Sequence, residues 1–119
     1  MDTPSSTVAR GAAIEAYVRG WLTRRGYRIV DRNVRTRGGE IDIVAWHRET
    51  LCFVEVRSTH DTLHGGPLAT VSRRKQARLV RAARYYLASF SEPPWVRFDV
   101  VGVTLRPFVV ELIADAFRA

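Results

Sequence analysis

Two short stretches of the chain, Gly39-Glu40-Ile41-Asp42-Ile43-Val44-Ala45 and Phe53-Val54-Glu55-Val56-Arg57, set charged residues at alternate positions of β-rich runs. Side chains alternate faces along a strand, so Glu40 and Asp42 are expected on one face and Ile41, Ile43 and Ala45 on the other. Glu55 and Arg57 likewise share a face opposite Val54 and Val56. The intervening His47-Arg48-Glu49-Thr50 is polar and of hairpin-loop length. Pairing Trp46 with Leu51 across it sets Asp42 opposite Glu55 and Glu40 opposite Arg57. Opposed side chains lie about 4.5–5.5 Å apart at Cβ, where like charges repel. A carboxylate pair so placed suits a hard divalent cation. The competing reading is two ordinary acids on the wet face of a half-exposed hairpin. Phe53, Val54 and Val56 leave the second run apolar on both faces except at Glu55 and Arg57, which predicts a central strand. Buried charges there need partners or a metal.

The elements that must position these residues read as αβββαββ. Ile14, Val18, Trp21, Leu22 and Arg25 recur at helical spacing, predicting a helix from about Thr7 to Arg25 that stops at Gly26. Residues 1–6 read as a disordered tail, and 7–119 as one domain. Tyr27 to Val34 reads as a strand, and Arg35-Thr36-Arg37-Gly38-Gly39 as a basic turn before the two informative strands. Ser58 to Ala69 reads as a loop with a break at Gly65-Gly66-Pro67. A second helix is predicted from about Ser72, its N-cap, to Ser89, and Ser91-Glu92-Pro93-Pro94 ends it. Trp95 to Val103 and Phe108 to Ile113 read as strands, and Ala114 to Ala119 as a final turn. Alternating helices and strands of this kind form an α/β sheet with helices packed on it.

The helices carry further candidates. Glu15 sits at the edge of the first helix's apolar stripe, either turned towards the sheet or paired at the rim with Arg19. Gln76 is the one polar residue on the inner line Gln76, Val80, Ala83, Leu87, Phe90, near the helix's positive end. Arg74, Arg78 and Arg81 form a stripe, joined by Arg73, Lys75 and Arg84, that is either a phosphate rail or a solvated face. His60, Asp61 and His64 share the glycine-broken loop, where i, i+4 spacing does not make a metal site. Asp99 reads as half of a structural salt bridge with an arginine. No P-loop, dinucleotide-binding glycine motif, nucleophile elbow or zinc-ligand spacing is present, which argues against NTPase, dehydrogenase and α/β-hydrolase readings.

The 119 residues carry a net charge of +7 and a sequence pI near 10.7, which favours an anionic partner, nucleic acid ahead of membrane. Of the 19 basic residues only Lys75 is not arginine. Cys52 is the sole cysteine, which rules out an internal disulfide, and it alternates onto the apolar Val54 face. No secretory pattern or membrane-length apolar run is visible, so the expected location is the cytoplasm.

Taken in order, Arg37-Gly38-Gly39-Glu40-Ile41-Asp42, Phe53-Val54-Glu55-Val56-Arg57, Lys75-Gln76 and Arg97-Phe98-Asp99-Val100 resemble the YraN family of small bacterial proteins. The likeness runs from Arg10 to Phe117. It implies a restriction-endonuclease-like mixed sheet flanked by helices, distantly similar to archaeal Holliday-junction resolvases. By that similarity Asp42 is the first acid of a PD-(D/E)xK nuclease motif, Glu55 the second, and Arg57 stands at the lysine position. Glu15 would complete the metal set with Asp42 and Glu55, and Gln76 would be the polar residue of the following helix. Arginine keeps its proton in proteins, so Arg57 can orient water or stabilise phosphoryl charge but cannot be a general base. The resemblance thus implies a Mg²⁺- or Mn²⁺-dependent endonuclease acting on DNA, branched or structured DNA included. Its catalytic residues would be Asp42, Glu55, Arg57 and Gln76, with Arg35, Arg37, Arg74, Lys75 and Arg78 on the nucleic-acid backbone. A homodimer is compatible with it. The alternatives are a catalytically inactive nucleic-acid-binding module and a protein-interaction scaffold in DNA repair or processing.

Overall fold

Ile14, Val18, Trp21 and Leu22 form one face of helix α1 (Thr7–Arg24), and that face seals one side of the sheet. The computed structural model describes residues 7–60 and 66–119. The tail expected at 1–6, together with Asp61 and His64, lies outside the described residues. Five strands follow the predicted order: β1 (Tyr27–Thr36), β2 (Gly39–His47), β3 (Thr50–Thr59), β4 (Trp95–Leu105) and β5 (Phe108–Phe117). They lie side by side in the order β1-β2-β3-β4-β5. All neighbours are antiparallel except β3 and β4, which are parallel and joined through helix α2 (Arg73–Leu87). A parallel pair needs such a crossover, and it places α2 on the face opposite α1.

The two layers separate cleanly by alternation. Ile43, Ala45, Cys52, Val54, Val101 and Val103 pack under α1. Val44, Leu51, Phe53 and Phe98 pack with Ala82 and Ala83 of α2. Leu51 through Glu55 are buried without a break, as expected of a central strand. Trp46 pairs with Leu51, as the sequence predicts, and His47 with Thr50, so the hairpin loop is only Arg48-Glu49.

Three details differ from the sequence reading. Ile41 does not share a layer with Ile43: it packs with Val34 and Val44 under α2. The cause is the end of the β2–β3 pairing at Ile43–Val54, whereas β2 stays bonded to β1 through Val34–Ile41. Free of β3 on one side, the strand twists on and carries Ile41 across. For the same reason Glu40 does not meet Arg57; it is exposed and paired with Arg35 at 3.4 Å. Ala114 to Phe117 continue β5 rather than turning, with an irregularity in pairing between Phe98 and Val100 that lets Phe98 meet Phe117. No helix among the described residues is long and apolar enough to cross a membrane.

Two glycines set how tightly the connections lie on this frame. A Cβ at Gly38 would come within 2.8 Å of backbone atoms of Arg81 and Ala82, so the β1–β2 turn is pressed directly on α2. A Cβ at Gly102 would come within 2.2 Å of Pro67, so the short 3₁₀ turn Pro67–Thr70 lies flat on β4.

Candidate functional site

Where β2 parts from β3, the backbone donor of Val56 loses its place in the ladder. Asp42 fills it: Val56 N–H donates to Asp42 Oδ2 at 2.8 Å. The separation of the strands and the fixing of this carboxylate are therefore one event. One residue back along β3, Glu55 is 4 % exposed, one of two buried charged residues among those described. Its carboxyl is close enough to Asp42 to be raised by that charge.

Two cations converge on the same oxygen. Lys75 Nζ is 3.5 Å from Glu55 Oε2, and Arg57 Nη1 is 3.6 Å from it. Each is positioned by its own element. Ser72 caps α2 by accepting from Lys75 N–H at 3.1 Å, which fixes the first turn and aims the lysine inward. Arg57 Nε donates to the Thr70 hydroxyl at 3.1 Å, and that hydroxyl donates to Pro67 O at 2.7 Å. Arg57 lies beside Gly102 in the parallel ladder, so the close seat of Pro67 on Gly102 is what brings Thr70 into reach.

The electrostatics are unbalanced in an informative way. Burial pushes the Glu55 carboxyl up to about 7, and the neighbouring Asp42 charge and hydrogen bond push in the same direction. Lys75 and Arg57 oppose the rise without cancelling it. The charged form of Glu55 is thus disfavoured even though two cations face it. Glu15, on α1, is also raised, first by burial and next by the charge of Asp42, with Arg19 opposing. Its side chain is half-buried.

The remaining candidates are spread around this centre. Arg78 lies against Gly39, and with Glu40, Lys75 and Leu79 they line a cavity of about 190 Å³. Arg35 near the end of β1, Arg37 in the β1–β2 turn and Arg74 on α2 are exposed. Gln76 is not drawn to the carboxylates: its Nε2 donates to Val71 O at 3.0 Å, steadying the entry to α2. Asp99 is fully buried and bonded to Arg97 (2.8 Å), Tyr27 (2.7 Å) and Asp115 N–H (2.9 Å). That is the structural bridge expected of it. Lys75, expected on the nucleic-acid backbone, reaches the Glu55 carboxylate instead. Cys52 is buried, and its thiol is pushed up to about 12, first by burial, so it is a packing residue.

Among the described residues no three His, Cys, Asp or Glu side chains gather into a ready metal cage. The oxygen pair of Asp42 and Glu55 nonetheless has the chemistry of a hard-cation site. Mg²⁺ is commonly held by one or two carboxylates, the rest of its shell being water and phosphate. The Glu55 carboxyl is raised first by burial and then by the like charge of Asp42.

Fold and site together define an α/β protein with a paired-carboxylate centre at a strand divergence on a mixed sheet. The chain belongs to the uncharacterised protein family UPF0102, whose model matches residues 14–103. Relatives include UPF0102 proteins from Chromohalobacter salexigens, 45 % identical over 92 % of this chain and 91 % of that one, and from Chlorobium chlorochromatii, 39 % identical over 98 % and 97 %. A third, from Methylibium petroleiphilum, is 49 % identical over 82 % of this chain and 86 % of that one. Among solved structures the fold is similar to that of a repair endonuclease from Pyrococcus abyssi, with a TM-score of 0.45 and 14 % identity. The likeness covers 87 % of this chain but only 41 % of that longer one.

Proposed function

We propose that the chain is a divalent-cation-dependent endonuclease hydrolysing phosphodiester bonds in DNA, branched or structured DNA included. The observation that carries this reading is the buried Glu55 beside Asp42, raised to about 7 even though Lys75 and Arg57 both point at it. A carboxylate that costs the fold stability in its charged form and lacks full compensation is poised for another cation.

In this reading Asp42 and Glu55 hold Mg²⁺ or Mn²⁺, with Glu15 contributing through water. The ion supplies an activated water and charge neutralisation at the scissile phosphate. Asp42 is held at its Oδ2 by Val56 N–H and offers Oδ1. With Glu55 deprotonated and its charge taken up by the ion, Arg57 and Lys75 would be released from that carboxylate and could face the phosphate. The Thr70 hydroxyl keeps the Arg57 guanidinium in place. Gln76 acts as a positioning residue through Val71 O at the head of α2. Arg35, Arg37, Arg74 and Arg78 surround the site and neutralise backbone phosphates.

A second reading is favoured by the lack of a three-ligand cluster among the described residues: a catalytically inactive module that binds nucleic acid on the same surface. One cleavage assay separates the two, on junction, flap, single-stranded and duplex DNA with Mg²⁺ or Mn²⁺, wild type beside Asp42→Asn. The endonuclease reading expects metal-dependent cleavage of at least one substrate and its loss in the variant. No cleavage of any substrate, or equal cleavage by Asp42→Asn, leaves the binding module.

A further inference from the structure

Helix α2 has two basic flanks, and only one faces the carboxylates. Lys75 and Arg78 leave it towards the β1–β2 turn. At 100° per residue, Arg73 and Arg84 leave on the other flank. There, with Arg81 and with Arg118 from beyond β5, they line a groove of about 640 Å³. No Asp or Glu side chain lines this groove, and Arg73, Arg81 and Arg84 pair with no Asp or Glu among the described residues. Arg118 is paired with Asp115 at 3.0 Å.

The groove does not end at Arg118. A second cleft, of about 440 Å³, shares Arg118 and Ala119 with it and has Trp95 on its wall. Trp95 is 79 % exposed, among the most exposed large apolar side chains of the chain. Its backbone is nevertheless held firmly: it follows Pro93-Pro94 and pairs with Thr50 in the sheet. An indole fixed on a strand and open to solvent is a ready stacking platform. Beside it, the other guanidinium of this cleft, Arg97, is spent on Asp99 and Tyr27.

We infer that this continuous surface, on the other flank of α2 from Lys75, binds a single-stranded segment of nucleic acid. The phosphates follow Arg73, Arg81, Arg84 and Arg118, and a base stacks on Trp95. The arginines alone would accept any polyanion, duplex included. The indole makes the distinction, because only an unpaired base can offer it a face. The groove runs along α2 from Arg73 to Arg84, about 16 Å at the helical rise. The inference shares with the proposed endonuclease only the class of partner, and it deepens that reading by requiring unpaired strand in the ligand.

Fluorescence anisotropy in EDTA tests it without cleavage, using labelled oligothymidylate and a labelled duplex of equal length. Trp95→Ala should weaken single-strand binding by about tenfold or more and leave duplex binding unchanged. Its melting temperature should match wild type, since the side chain packs against little. The double variant Arg73→Glu, Arg84→Glu should weaken both ligands and flatten the salt dependence of binding. If Trp95→Ala binds the oligothymidylate as wild type does, or weakens duplex equally, the single-strand surface is refuted. If the arginine variant changes neither ligand, the groove is refuted. Binding that behaves as expected in a protein that never cleaves removes the endonuclease reading alone. Cleavage that persists beside a neutral Trp95→Ala removes this inference alone.

Discussion

Replacing Glu55 by glutamine should stabilise the metal-free protein at alkaline pH and do nothing at acid pH. The glutamine keeps the shape of the side chain and removes its charge. In the fold the Glu55 carboxyl is raised from its ordinary 4.5 to about 7, first by burial and then by Asp42. A raised acid binds its proton more tightly folded than unfolded. Its contribution is therefore whole below about pH 4.5 and is lost as pH rises through 7. The displacement corresponds to about 3 kcal/mol at pH 8.5 and above. For a domain of this size that is a rise in melting temperature of roughly 10 °C for Glu55→Gln at pH 8.5, shrinking to nothing near pH 4. Thermal melts followed by circular dichroism across pH 4–9 measure it. Mn²⁺ at about a hundred times its dissociation constant should return about 2.7 kcal/mol to wild type and nothing to the variant. The reasoning is refuted if Glu55→Gln is less stable than wild type at pH 8.5. Glu55 would then be an ordinary structural counter-ion of Lys75 and Arg57.

Other substitutions probe the supports of the site. Gly102→Ala puts a Cβ 2.2 Å from Pro67, so the 3₁₀ turn must lift; a loss of about 1–3 kcal/mol is expected, read by chemical denaturation. Asp99→Ala leaves half-buried Arg97 and buried Tyr27 without their acceptor and should cost about 3–5 kcal/mol, far more than Glu40→Ala, whose ion pair with Arg35 is exposed at both ends. In cleavage assays Arg57→Lys should retain partial activity and Arg57→Ala should lose about 10²–10³-fold. Charge reversal at Arg74 and Arg78 should weaken DNA binding for all sequences alike and reduce its salt dependence, measured by anisotropy between low and physiological salt.

What the sequence discloses here is periodic, and what it hides is geometric. The apolar faces of β3 identify it as central because Val54 and Val56 alternate with Phe53 and Glu55. The Trp46–Leu51 register follows from the short polar loop, and the neighbourhood of Asp42 and Glu55 follows from that register. Ser72 and Gly26 mark helix ends because capping and left-handed turns favour those residue types. The switch of Ile41 to the other layer has no such signal. It depends on where β2 lets go of β3, which twist decides and alternation does not record. Nor do Gly38 and Gly102 show in advance what they touch, since a missing Cβ says only that something is close. Lys75 lies far from Glu55 along the chain, and only the crossover through α2 brings its amine to that carboxylate. Gln76, one residue later, points a third of a turn away and binds Val71 O instead. That Asp99 bridges to an arginine was legible from its large apolar flanks; that the arginine is Arg97, and that Tyr27 and His47 complete the network from two other strands, was not.

The central claim is that Asp42 and Glu55 together hold a divalent cation, and titration calorimetry with Mn²⁺ at neutral pH tests it most directly. The account predicts one ion bound per chain, with binding abolished in both Asp42→Asn and Glu55→Gln while each variant keeps its fold. Stoichiometric Mn²⁺ binding that survives both substitutions, or no binding to wild type at millimolar Mn²⁺, would contradict it.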